Sequence, residues 1–218
     1  MMRRLQRIGI GLGSSFLLGI IPVFSTYVLL PLATILVAKT QNIEQSWALF
    51  IYIMQSLLTL LSLLWHLAHL HIWIDSDGEE ALRASDKKTY SNMPDVLLLF
   101  VIYQIMTLPA FLVGSFYYPF VWFEYLRFFA VTLFLAAGLY LFALLLRSVT
   151  MALVIIYAYA FFSISFSSKP EFSSLALLKP DAEIYWEELS AVYLWLIPVA
   201  VLLLVAGHLI EKKFYRLR

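Results

Sequence analysis

From Asp75 to Lys88 the chain reads Asp75-Ser76-Asp77-Gly78-Glu79-Glu80-Ala81-Leu82-Arg83-Ala84-Ser85-Asp86-Lys87-Lys88, a run of both charge signs between long apolar stretches. Carboxylates and a guanidinium at this density can pair with an oppositely charged surface through charge-assisted hydrogen bonds. Charged residues are 13% of the chain and hydrophobic ones 62%, so a cluster this dense is more than solubilising decoration and reads as a docking segment. Ser76 and Glu79 have capping-box spacing, and Glu79 and Glu80 lie four and three residues ahead of Arg83. A short exposed helix is predicted. Its apolar face is limited to Ala81, Leu82 and Ala84, and surface ion pairs add only a few tenths of a kcal/mol each, so a partner would order it better. The plainer alternative is a solvated loop that keeps its flanking segments apart.

Other constellations carry weaker chemistry. His66, His69 and His71 form H-x-x-H-x-H, and His66 shares a helical face with His69. Histidine is a common metal ligand, but His208 is the only other one in the chain, so interfacial histidines beside Trp65 and Trp73 are the reading and no metal site is expected. Glu79-Glu80 with Arg83 falls one residue short of the Glu-Glu-x-x-x-Arg pattern of intramembrane CAAX-type proteases, and it lies in a loop where water is not excluded. No catalytic residue is assigned. Gly9, Gly11 and Gly13 follow no strand; Gly9 and Gly13 suit close helix packing instead of nucleotide binding. Glu124 and Arg127 lie three apart near one end of an apolar run and read as an outer clamp, structural first and gating second. There is no cysteine, hence no thiolate, disulfide or cysteine metal site. The net charge of +1 and the lack of a basic, aromatic-interleaved stripe set nucleic acid aside.

The elements that must position these residues are membrane spans. Mean hydropathy is +0.86 over 218 residues, and the apolar runs approach or exceed the ~20 residues that cross a bilayer as helix. Spans are expected at about 13–38, 47–72, 94–116, 121–146, 148–167 and 190–210, making residues 1–218 a single all-α polytopic domain. A membrane barrel is excluded by the lack of apolar-polar alternation. Lys and Arg set the orientation. With the N-terminus inside, Arg3, Arg4, Arg7, Arg83, Lys87, Lys88, Arg147, Lys212, Lys213, Arg216 and Arg218 are cytoplasmic, against Lys39, Lys169 and Lys179 outside. Both termini are therefore expected in the cytoplasm. The first apolar stretch runs on past any small-residue cleavage site through Pro31, so it is read as a retained span.

Short connections make spans three, four and five antiparallel neighbours. Residues 168–189 form the long outer connection, in which Leu175, Leu177, Leu178, Ile184, Tyr185 and Trp186 alternate with Lys179, Asp181, Glu183 and Glu187. This suits short helices in or dipping into the interface, or an ordinary loop with aromatic anchors. Pro22, Pro31, Pro109 and Pro198 fall inside spans and are expected to kink or open them. No linker or soluble domain is present, so an energy source would lie on another chain.

With its layout, WHLAHLHIWIDSDGEEALRA, WFEYLRFFAVTLFLAAGLYLFALLLRSVTMALVIIYAY and GHLIEKKFYRLR, the chain resembles the membrane subunits of type-2 ABC transporters, mostly exporters. The resemblance covers nearly the whole chain in topology, and its most specific part is the charged segment. It implies six spans with both ends inside, a coupling helix after span two that docks on a separate nucleotide-binding subunit, and an extracellular re-entrant element between spans five and six. By position, the coupling segment would comprise Asp75, Asp77, Gly78, Glu79, Glu80, Leu82 and Arg83. The resemblance also implies a second permease subunit, the same or related, meeting this one along spans two and five around a substrate path. Candidate lining residues are Gln55, Ser56, Thr59 and Ser62 with Tyr157, Tyr159 and Ser163, although each could equally hydrogen-bond helices together. The expectation is a permease subunit of an exporter in the bacterial cytoplasmic membrane. It would have no cofactor and no enzymatic activity of its own, with ATP and Mg bound by the partner ATPase. The alternative is a non-transporting immunity or assembly factor that binds a peptide or protein.

Overall fold

Backbone polar groups in hydrocarbon must be bonded within the segment that carries them, so long apolar stretches fold as helices. In the computed structural model, residues 8–10, 12–13, 15–40, 42–75, 91–169, 171–172, 176–179 and 184–216 are described, and among them there is no strand. Six helices among these residues are long and apolar enough to cross a bilayer: α1 Phe16–Thr40, α2 Ile43–Ile74, α3 Met93–Gly114, α4 Val121–Leu146, α5 Val149–Phe166 and α6 Trp186–Lys213. The chain is an integral membrane protein built of helices.

The largest departures from the expected span boundaries are in α2 and α6. Helix α2 starts at Ile43 rather than near 47, because Asn42 in extended backbone accepts from the Gln45 N–H at 2.7 Å and caps the helix, with Glu44 in its first turn. Helix α6 starts at Trp186 and runs past 210, carrying Glu187, Glu188 and Glu211 in helical backbone. Three spans also contain a widened π turn, at Ser25–Leu29, Ile53–Leu58 and Leu189–Tyr193. Hydroxyl groups bond to the carbonyls around the first two turns. Thr26 Oγ1 donates to Pro22 O at 2.9 Å, Ser56 Oγ to Tyr52 O, and Thr59 Oγ1 to Met54 O at 3.0 Å.

Helix α4 is the axis of the bundle. Of its apolar window 67% is buried, against 22% for α1, 28% for α5 and 22% for α6, so those three turn most of their surface outward. Buried Ala130, Ala136, Ala137, Gly138 and Ala143 let neighbours approach α4; a Cβ on Gly138 would come within 3.2 Å of Ile156 on α5. Helices α2, α3, α5 and α6 pack on α4, while α1 lies against α2. The outward apolar side chains, such as Phe16 and Ile35 on α1, Val154 and Phe161 on α5, and Leu202 and Leu209 on α6, suit contact with lipid tails.

The described part of the connection between α5 and α6 is folded into the bundle. Ala176, Leu178 and Ile184 are buried, the Leu178 N–H donates to Ser163 Oγ at 2.7 Å, and Tyr193 OH donates to Leu177 O at 3.2 Å. Tyr185 and Trp186 remain exposed. Helix alternation leaves two ends to the bundle. One carries Asp75, Asn92, Arg147 and Glu211, and is called the basic end for its Lys and Arg content; the opposite end carries Asn42, Tyr118 and Glu187.

Candidate functional site

At the basic end two carboxylates reach across to other helices, one to the first residue of α5 and one to the residues just before α3. Asp75 directly follows α2, and its two oxygens accept from the Val149 N–H at the start of α5, at 3.1 and 3.2 Å. His71, one turn earlier, places Nδ1 3.0 Å from Asp75 Oδ2. The first N–H groups of a helix have no partner within it and carry partial positive charge, so a carboxylate there satisfies a donor and complements the helix dipole. Arg147 makes the tight turn between α4 and α5 possible by adopting left-handed backbone, with φ of 54°.

Glu211 does the corresponding task for α3. Its carboxylate is 1% exposed and accepts from Asn92 N–H at 3.1 and 3.2 Å, Asn92 Nδ2 at 2.9 Å, Ser91 Oγ at 3.0 Å and Tyr140 OH at 2.6 Å. Ser91 Oγ also lies 2.7 Å from His208 Nδ1, one turn before Glu211 on α6. Gly207 makes this convergence possible, since a Cβ there would stand 2.6 Å from Cε1 of the Tyr140 ring. Five residues from α4, α6 and the approach to α3 thus meet at one carboxylate-centred hub.

Sequence reasoning missed this hub. Glu211 is followed by Lys212 and Lys213 and so resembles a solvated helix end. The one available signal was Gly207 four residues ahead of Glu211, which puts a small residue and a carboxylate on one helical face. Of the predicted docking segment, Asp75 is described, whereas Asp77, Gly78, Glu79, Glu80, Leu82 and Arg83 lie outside the described residues, as does the Ser76 to Glu79 capping box.

His66 and His69 of α2 lie deeper in the bundle. His66 Nδ1 is 3.0 Å from Ser62 O and Nε2 is 3.3 Å from Val96 O; His69 Nε2 is 3.6 Å from Asp95 Oδ2. Among the described residues no three His, Asp or Glu side chains are gathered so as to hold a metal ion.

Toward the opposite end, Glu124 and Arg127 form a buried ion pair within α4. Glu124 also accepts from Gln55 Nε2 of α2 at 3.1 Å and from the Ile184 N–H at 3.2 Å, and the Arg127 guanidinium lies 5.9 Å from the Tyr193 ring centre. The π turn of α2 contains Gln55. This cluster joins α2, α4 and the approach to α6. The remaining candidate lining residues are mostly engaged inside the bundle: Ser56, Thr59, Ser62 and Ser163 are buried, Ser62 Oγ donates to Thr59 O at 2.7 Å, and Tyr157 OH donates to Leu60 O at 3.3 Å. Tyr159 is half-buried against the core of α4, α5 and α6.

What fold and site define together is a class, an integral membrane protein with six candidate spans among its described residues, whose buried carboxylates join different spans. Compared with family models, curated proteins and solved structures, the chain matches none.

Proposed function

We propose that the chain is the permease subunit of an ATP-driven ABC exporter, set in the bacterial cytoplasmic membrane with the basic end and both termini inside. The charged segment that follows α2 is its coupling helix. That helix docks on a separate ATPase, which binds ATP and Mg, and a second permease subunit completes the substrate path. On this reading the connection between α5 and α6 is the outer re-entrant element. A permease must convert a push at its cytoplasmic surface into movement of several helices at once. The observation that carries the reading is Asp75, whose carboxylate spans from the end of α2 to the start of α5 at the point where the charged segment begins. A loop that only separated α2 from α3 would have no need of a hold on α5.

The test is co-purification of this chain with any ATPase encoded beside it and ATP hydrolysis by the complex, in wild type and in a variant with Glu79, Glu80 and Arg83 all changed to alanine. The expected result is a stable complex in wild type and lost or uncoupled hydrolysis in the variant, which still inserts. If no ATPase associates, or the variant matches wild type, the permease reading fails and a role in binding a peptide or protein takes its place.

A further inference from the structure

The segment 76–90 is bounded by two carboxylate attachments of the same kind. Asp75 ties its first end to the start of α5, and Glu211 ties its second end, through Ser91 and Asn92, to α6 and α4. We infer that Glu211 is a positioning residue: it fastens the start of α3 to α6 and α4, so that displacement of the charged segment moves α6 along with α3, while Asp75 passes it to α5. This deepens the permease reading and rests on it for the source of the displacement; the fastening itself does not depend on any partner.

Three features of the hub support this. Glu211 lies one helical turn beyond Gly207, where the missing Cβ admits the Tyr140 ring, so α4 and α6 are held at close range where the carboxylate acts. The Glu211 contacts named above come from Ser91 and Asn92 at the approach to α3 and from Tyr140 on α4, so one carboxylate on α6 is bonded to two other elements. Ser91 is bonded to both Glu211 and His208, giving α6 two points of hold on one residue. A carboxylate that merely capped α3 would need neither Tyr140 nor the His208 contact.

The experiment uses the full chain in lipid nanodiscs. Because the protein has no cysteine, Ser91→Cys and His208→Cys can be joined selectively by a short thiol cross-linker. Hydrogen exchange is followed in Glu211→Gln, in Gly207→Ala, and in Glu211→Gln with the 91 to 208 cross-link. If Glu211 fastens the two elements, Glu211→Gln speeds exchange by about tenfold or more at residues 92–97 and at 204–213 together. Gly207→Ala, which displaces Tyr140, does the same to a smaller extent, and the cross-link returns 204–213 to within about twofold of wild type. Faster exchange at 92–97 alone, or no recovery on cross-linking, overturns the inference. In the complex with the ATPase, Glu211→Gln should keep the partner bound yet cut the ATP-driven change in a spin-label distance across α5 and α6 by about fivefold or more; an undiminished change overturns the transmission. Failure of wild type to bind any ATPase removes the permease reading, and the exchange data still decide the fastening.

Discussion

Two buried carboxylates, Glu124 and Glu211, are held in different ways. Glu124 has a cation one turn away on its own helix and adds Gln55 and the Ile184 N–H, so its charge is balanced within α4 before any other element is reached. Glu211 accepts hydrogen bonds from residues far off in sequence, Asn92, Ser91 and Tyr140, which belong to other elements than α6. The first arrangement resists separation of charges in a low-dielectric medium, where a broken pair leaves a costly unpaired ion. The second depends on several helices staying together. The Glu124 cluster is therefore suited to bracing, and the Glu211 hub to joining segments that a load at the basic end would pull apart.

The largest effect that sharpens this contrast is expected from Arg127→Met, which leaves the Glu124 carboxylate buried without its cation. A loss of about 3–5 kcal/mol in unfolding free energy is expected, read from denaturant unfolding in detergent micelles, and adding Glu124→Gln should recover much of it. If the single change cost no more than a surface substitution, the bracing role would fall. Glu211→Gln comes next. It keeps the shape of the side chain but turns one acceptor into a donor facing other donors, so a smaller loss of about 1–3 kcal/mol is expected in the same assay. The smallest effect belongs to Asn42→Ala at the opposite end. Loss of one N-cap should cost about 1 kcal/mol and fray the start of α2, seen as faster exchange at residues 43–46, while the hub is left unchanged.

How far these regions could be read from sequence follows from the separation of the partners. Glu124 and Arg127 lie one turn apart, so their contact is readable from spacing alone. The six apolar helices are equally readable, because the length and uninterrupted hydropathy of each run leave helix as the only structure that bonds its own backbone. Asp75 stands out as a charge beside apolar sequence, but its bond to Val149 joins residues 74 positions apart and no local pattern announces it. Glu211 is harder still, since its partners Ser91, Asn92 and Tyr140 are ordinary polar residues and its neighbours Lys212 and Lys213 mask it. The π turns were also hidden: Ser56 and Thr59 look like lining or packing residues until the widened turn shows which carbonyls they serve.

The most direct test of the permease account is to place a photo-cross-linking amino acid singly at positions 79, 83 and 187 in native membranes and identify the captured proteins by mass spectrometry. The account predicts that positions 79 and 83 capture a nucleotide-binding ATPase carrying a Walker A sequence, and that position 187, on the opposite end, does not. Absence of an ATPase from the 79 and 83 products, or its equal capture from 187, would contradict it.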